Sequence, residues 1–93
     1  MSDYLVRVEL HAASHVHYDQ LHKSMAAQGF SRTIRSSDGQ HCALPTAEYV
    51  MSTSQDGATV RAAADAAAAT TGLYRGVLVA QYSGAWWTGL QKI

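Results

Sequence analysis

The sequence predicts one α+β domain, on the basis of three observations. Residues 4–11 alternate with a period of two between a fully apolar set and a mixed set, which is typical of a strand. Two segments with helical spacing, each followed by a glycine, separate this strand from further strand-like stretches. A chain of 93 residues also buries roughly 65% of its unfolded surface, which is enough for a single core.

Composition and charge exclude several classes of protein. Lys and Arg number 7 and Asp and Glu number 7, so the formal net charge of +0 creates no field that attracts nucleic acid or an anionic membrane. No apolar run approaches the roughly 18 residues of a transmembrane helix, and Met1-Ser2-Asp3 lacks the basic start of a secretory signal. Cys42 is the single cysteine, which favours a reducing compartment. We therefore expect a cytoplasmic protein that does not associate with membranes.

The first half of the chain predicts two strands on either side of a helix. The opening strand is expected to be central, because the other elements need its apolar face to pack against. The helix begins after Ser14, a suitable N-cap, and ends at Gly29. Residues 30–35 form the second strand, and Asp38-Gly39 marks the turn after it. The helix faces the sheet with Tyr18, Leu21 and Met25.

Two more strands and an extension are predicted in the second half. Residues 44–52 form the third strand, with Pro45 near its start because proline cannot donate to the ladder. Residues 73–82 form the fourth strand, whose two faces are both apolar. Residues 83–93 form a C-terminal extension, a turn followed by a short strand or tail.

The alanine-rich segment between these strands is predicted to be a packed helix, because alanine is the best helix former. Asp56 or Ser54 caps it, and it runs to about Thr71 before Gly72. We expect Ala68 on its outer side. The face expected to lie on the sheet consists of Val60, Ala63, Ala64 and Ala67.

The predicted order βαββαβ is that of the ferredoxin-like fold, a four-stranded antiparallel sheet with both helices on one face. Residues 1–93 then make a single domain with 83–93 as its extension. The second sheet face is left uncovered, and apolar residues on such a face favour a partner. We expect a homodimer through this face or through the aromatic tail. The residues placed on the uncovered face are Leu5, Leu78, Ala80 and Tyr82, beside Arg7, Glu9 and His11.

Several segments resemble one family of small bacterial proteins. They are the opening strand, the Ser-capped helix ending in Gln28-Gly-Phe30, Ser31-Arg-Thr-Ile-Arg35 with its Asp-Gly turn, and Leu44-Pro-Thr-Ala-Glu-Tyr-Val50. From about Tyr4 to Tyr82 the chain is similar to the GhoS-type antitoxins of type V toxin–antitoxin systems. The resemblance implies a ferredoxin-like fold related to the small CRISPR-associated ribonucleases, and an antitoxin that cleaves the messenger RNA of its toxin.

Two features depart from that pattern. The CRISPR-associated relatives carry an aspartate near the end of the first strand, where the nearest acid here is Glu9. The Trp86-Trp87 tail has no counterpart in the family. Both aromatic residues could stack on bases, but neighbours in a strand point to opposite sides, so packing against the core or a partner is the alternative.

The candidate catalytic residues lie on the first helix. RNA cleavage without a metal needs a base, an acid and a cation on the phosphate, and histidine suits both proton roles. His15, Asp19 and His22 occur at i, i+4 and i+7 on one helix face. His22 is the preferred catalyst because it lies in the body of the helix, where Asp19 could hold one ring nitrogen. The alternative is an ordinary solvated face. The predicted RNA contacts are Arg32, Arg35 and Lys23.

Metal and cofactor chemistry are not predicted. His15 and His22 are two helical turns apart, about 10 Å, too far to share an ion without a third element. Glu9 could hold magnesium only if a dimer brought two copies together. The number of histidines and the family resemblance favour a metal-independent endoribonuclease without a cofactor. The alternative is a non-catalytic dimeric module or inhibitor that binds a protein partner, which the neutral charge favours.

Overall fold

Five strands and two helices follow one another in the order βαβββαβ in the computed structural model, which describes residues 1–93. Neither helix is long and apolar enough to cross a membrane. The strands are β1 (Ser2–Leu10), β2 (Thr33–Arg35), β3 (His41–Ala43), β4 (Glu48–Thr53) and β5 (Arg75–Tyr82), and the helices are α1 (His15–Ala27) and α2 (Gly57–Ala69).

The strands form two antiparallel sheets. The larger has the order β4-β1-β5, so the prediction that the first strand is central is confirmed. In its register, Val6 lies opposite Tyr49 on one side and Val79 on the other. The smaller sheet is the β2-β3 hairpin. The α+β class is thus confirmed, whereas the strands divide into sheets of three and two instead of the single predicted sheet of four.

The division arises within the predicted third strand, residues 44–52. Ala47 has a φ of 66°, and the N–H of Glu48 donates to the carbonyl of Pro45 at 3.1 Å, so the chain turns between β3 and β4. β3 then pairs with β2 across the predicted Asp-Gly turn. One isolated bridge still joins the two sheets, because Ser31 and Val50 exchange backbone hydrogen bonds of 2.9 Å.

Both helices pack on the same face of the larger sheet, as predicted. The even-numbered residues of β1 from Tyr4 to Leu10 are buried there, in one core with Leu21 of α1 and Val60 of α2. Ala68 is fully buried in this core, so its expected outer position was wrong. The reason is that α2 packs against both α1 and the sheet, which leaves it more than one buried side.

The helix ends follow the sequence signals. Ser14 is the N-cap of α1, and its N–H donates to Nδ1 of His17 at 3.0 Å. Asp56 is the N-cap of α2 and accepts the N–H of Thr59 at 2.9 Å. Gly29 follows α1 with a φ of 93°, a conformation that favours glycine.

The odd-numbered residues of β1 lie on the opposite face, which no helix covers; we call it the open face. Register places Leu78 and Ala80 of β5 beside Arg7 and Leu5 there, in agreement with the expectation. Leu78 is 65% exposed. The apolar side chains of the open face therefore remain in contact with solvent.

The C-terminal extension, residues 83–93, ends along the hairpin. The N–H of Ala43 donates to the carbonyl of Gln91 at 2.8 Å, and the N–H of Ile93 donates to that of His41 at 3.0 Å. Cys42 and Lys92 lie directly opposite each other in an isolated bridge. The extension thus lies alongside β3, in the extended form that the sequence predicted.

Candidate functional site

A histidine and a tyrosine meet between α1 and β4. Tyr49 lies on the core face of β4 and is 0% exposed, so its ring packs inside while its hydroxyl reaches the helix. His22 lies on α1 between the buried residues Leu21 and Met25 and is itself half-buried. Nδ1 of His22 is 2.7 Å from the hydroxyl oxygen of Tyr49, and the ring centroids are 5.9 Å apart.

The surroundings of this pair shift both pKa values. Burial raises the pKa of Tyr49 to about 12, so its hydroxyl keeps its proton at neutral pH. Burial also lowers the pKa of His22, the nearby guanidinium of Arg32 lowers it further, and the carboxylate of Asp19 raises it. The imidazole is therefore mainly neutral at pH 7, the form that can accept a proton.

The hydrogen bond also sets the resting tautomer of His22. The hydroxyl of Tyr49 has no other hydrogen-bond partner, so its proton is satisfied only when it donates to Nδ1. The hydrogen of the neutral imidazole then lies on Nε2. In the other tautomer, Nε2 has lost its proton to water, Nδ1 has gained one and the hydroxyl has rotated, so that Nδ1–H donates to Tyr49 and Nε2 carries a free lone pair.

The structure brings together only some of the predicted site residues. Asp19 and Arg32 lie close enough to His22 for their charges to act on its pKa. His15 and Lys23 are exposed elsewhere on α1, and Arg35 lies on β2. The partner expected for the imidazole was wrong, because Tyr49 and not Asp19 makes its hydrogen bond.

Sequence reasoning missed Tyr49. A buried tyrosine usually needs a partner for its hydroxyl, and the apolar alternation of the third strand places this ring inside. That signal indicates that a partner exists. Its identity depends on how α1 crosses β4, which no local pattern encodes.

A second concave region lies between the extension and the hairpin. It is a cleft of about 840 Å³ whose lining includes Arg35 and His41, which are opposite each other in the β2-β3 register. Trp86 and Trp87 form another wall. A Cβ atom on Gly84 would be 2.9 Å from the Trp86 ring, so the glycine allows this ring to lie against the backbone. The cleft thus combines aromatic surface, a guanidinium and an imidazole.

The remaining chemical groups give no further centre of this kind. No three His, Cys, Asp or Glu side chains are grouped closely enough to hold a metal ion. Cys42 forms no disulfide and is buried; it lies in β3, with β2 on one side and the extension on the other.

No protein-family model matches this chain, and a search of curated proteins finds no significant match. The His22–Tyr49 pair, Arg32 and the cleft are therefore the observations on which a function can be argued.

Proposed function

We propose that the protein is a small antitoxin-type endoribonuclease of the cytoplasm, which cleaves a toxin messenger RNA without a metal ion. The observation that carries this proposal is the hydrogen bond between His22 and Tyr49. A neutral imidazole held by a buried hydroxyl supplies a proton acceptor, and we propose the exposed guanidinium of Arg32, whose charge lowers the pKa of both groups, as the cation for phosphate.

The reaction is an attack within the RNA strand. The 2′ oxygen bonds to the neighbouring phosphorus, and its proton passes to Nε2 of His22 while Nδ1–H donates to Tyr49. The bond from phosphorus to the 5′ oxygen breaks, and that oxygen takes a proton from water, while the hydroxide that remains removes the added proton from Nε2 of His22. Arg32 stabilises the negative charge on the phosphate oxygens. The products are a 2′,3′-cyclic phosphate and a 5′ hydroxyl.

The strand arrangement supports the family resemblance on which this proposal also draws. Counting β2 as a fourth strand beside β4, through the Ser31–Val50 bridge, gives the order expected of a ferredoxin-like sheet. We propose that order for the protein, with the β2-β3 hairpin as its twisted outer edge.

The cleft supports binding of a single RNA strand. Trp86 is 91% exposed and offers a ring on which a base can stack, and Arg35 lies in the same cleft for phosphate. Ser31 and Thr33, which flank Arg32 in the chain, also line the cleft. The β1–β4 register places the sheet residues of the cleft on the open face, opposite to the proposed catalytic group, so the cleft would hold a part of the RNA strand away from the cleaved bond.

The proposal is tested by incubating the protein with a mixed-sequence pool of single-stranded RNA in excess EDTA. We expect cleavage to products with 2′,3′-cyclic phosphate ends, and a rate loss of about 10²–10⁴ in His22→Ala. Arg32→Gln should weaken cleavage as well. His15→Ala is the matched control, because His15 occupies the exposed first turn of the same helix and should leave the rate unchanged.

The outcomes separate the mechanisms. Cleavage that survives His22→Ala would exclude this residue as the base, and cleavage abolished by EDTA would direct attention to Glu9 and a metal. Because His22→Ala also leaves the Tyr49 hydroxyl unpaired, the double variant with Tyr49→Phe shows whether lost rate reflects chemistry or folding.

A second candidate is a non-catalytic dimeric module that binds a protein partner. The open face favours it, since Leu5, Leu78 and Ala80 lie there beside only a few charges, and the formal net charge is +0. Absence of cleavage of any RNA in the pool by the unmodified protein would select this candidate.

A further inference from the structure

The larger sheet has one edge with no neighbouring strand. At the β4 edge, Ser31 occupies the position beside Val50 through two backbone hydrogen bonds of 2.9 Å. At the other edge, β5 pairs only with β1. β5 is 8 residues long, so it presents an extended row of unpaired backbone groups.

The register identifies the groups on that free edge. The N–H of His11 donates to the carbonyl of Tyr74 at 2.9 Å, so even-numbered residues of this segment direct their backbone groups to β1. The odd-numbered residues direct their N–H and C=O groups outward. They are Arg75, Val77, Val79 and Gln81.

Exposed edge strands usually carry features that prevent pairing, such as proline, lysine or a bulge. β5 contains neither proline nor lysine, and its pairing with β1 has no bulge. Its one charge, Arg75, is bound by Asp65 of α2 at 2.8 Å. The edge is therefore open to another strand.

We propose that a second copy of this chain pairs through β5, antiparallel and about a two-fold axis at Leu78. The two larger sheets then form one sheet of six strands, three from each copy. Val77 lies opposite Val79 of the second copy, and Arg75 lies opposite Gln81. This register is the one in which every outward backbone group of β5 finds a partner.

The axis also explains the exposure of Leu78. This side chain is 65% exposed in the single chain and stands on the open face. At the axis it lies opposite its own copy in a pair without hydrogen bonds, where Cα atoms are about 4.5 Å apart. The two leucines then cover each other. The proposal is independent of RNA cleavage, because it uses neither His22 nor the cleft.

Disulfide trapping tests the register. In a Cys42→Ala background, Leu78→Cys should form a covalent dimer under mild oxidation, since a separation of about 4.5 Å lies within disulfide range. Ala80→Cys is the control on the same face. Its partner position is Gly76, so two copies of residue 80 are offset by about 13 Å along the strands and should not cross-link.

Sedimentation of a proline variant tests the backbone pairing. Gln81→Pro removes an outward N–H that the single chain does not use in its sheet, so the fold should survive. Gln81→Ala is the control, because it loses the same 3.2 Å side-chain contact to Ser2 but keeps the N–H. We expect dimers for the unmodified protein and Gln81→Ala, and at least tenfold weaker association for Gln81→Pro.

Two results would overturn the proposal. One is a monomer mass for the unmodified protein at about 100 μM, since specific interfaces bind more tightly than this. The other is a dimer that Gln81→Pro does not weaken, which would indicate face-to-face contact. Circular dichroism must show that Gln81→Pro keeps the native spectrum. If that variant does not fold, cross-linking of Leu78→Cys still tests the register.

Discussion

Among the single residues, the buried hydroxyl of Tyr49 connects the proposed chemistry to the stability of the fold. Its hydrogen bond to His22 satisfies both side chains within the protein. Protonation of His22 would require the hydroxyl to rotate and an imidazolium to form where burial and Arg32 oppose it. The burial of this contact, which favours the neutral imidazole, therefore makes the folded state sensitive to acid.

We predict that acid destabilises the protein through His22. Its pKa in the folded state is below the ordinary value of 6.5, so the unfolded chain binds the proton more readily. This contribution is fully present above pH 6.5 and is lost as the pH falls from there to the folded pKa. Urea midpoints measured between about pH 5 and pH 8 should show a steeper decline for the unmodified protein than for His22→Gln. Parallel curves would contradict the prediction.

The sequence allowed part of the site to be predicted. Position within the helix body selected His22 over His15, and the structure places only the former against a buried partner. Local spacing also suggested Asp19 as the hydrogen-bonding group. It could not identify Tyr49, 27 residues away, because the contact depends on tertiary packing.

For the helices and strands, α2 shows why small residues repeat over so long a segment. Ala64 and Ala68 are both 0% exposed, and the buried set of α2 also contains Val60 and Ala67. The sequence established that the helix forms, where it is capped and that one face is buried. The width of the buried face was underestimated, because a uniform run of alanine gives no contrast between sides.

We predict that enlarging the buried alanines destabilises the fold. Ala64→Leu and Ala68→Leu should each lower the free energy of unfolding by about 1–3 kcal/mol, since closely packed neighbours must move. Ala66→Leu is the matched control in the same helix, on an exposed position, and should be nearly neutral. Thermal or urea unfolding measures all three, and equal small effects would show that α2 is loosely packed.

Across the whole molecule, the prediction succeeded for the larger sheet and was incomplete for the hairpin. Alternation in β1 and β5 identified the central strand and both faces. The turn at Ala47 was not foreseen, because a φ of 66° is unusual for alanine and because Thr46, Tyr49 and Val50 near it favour strands. Residues 83–93 were predicted to be a short strand or tail, but the sequence could not identify β3 as the strand beside them.

We predict that removing residues 84–93 makes Cys42 reactive. The thiol is 4% exposed, and the extension supplies the strand directly opposite it. Loss of the two backbone hydrogen bonds to β3, each contributing about 1 kcal/mol, should increase labelling by a thiol reagent roughly tenfold or more. Unchanged labelling, with far-ultraviolet circular dichroism as the check on folding, would show that the extension does not protect the hairpin.

The central position of β1 has a consequence for how the chain acquires its structure. During synthesis β1 emerges before both strands that flank it, because Ser2 pairs with Thr53 and Asp3 pairs with Tyr82. Closing such long loops slows folding relative to proteins rich in local contacts. Until then the alternating apolar face of β1 is unprotected, and unpaired strands promote aggregation. The nascent chain should therefore depend on holding chaperones more than its small size suggests.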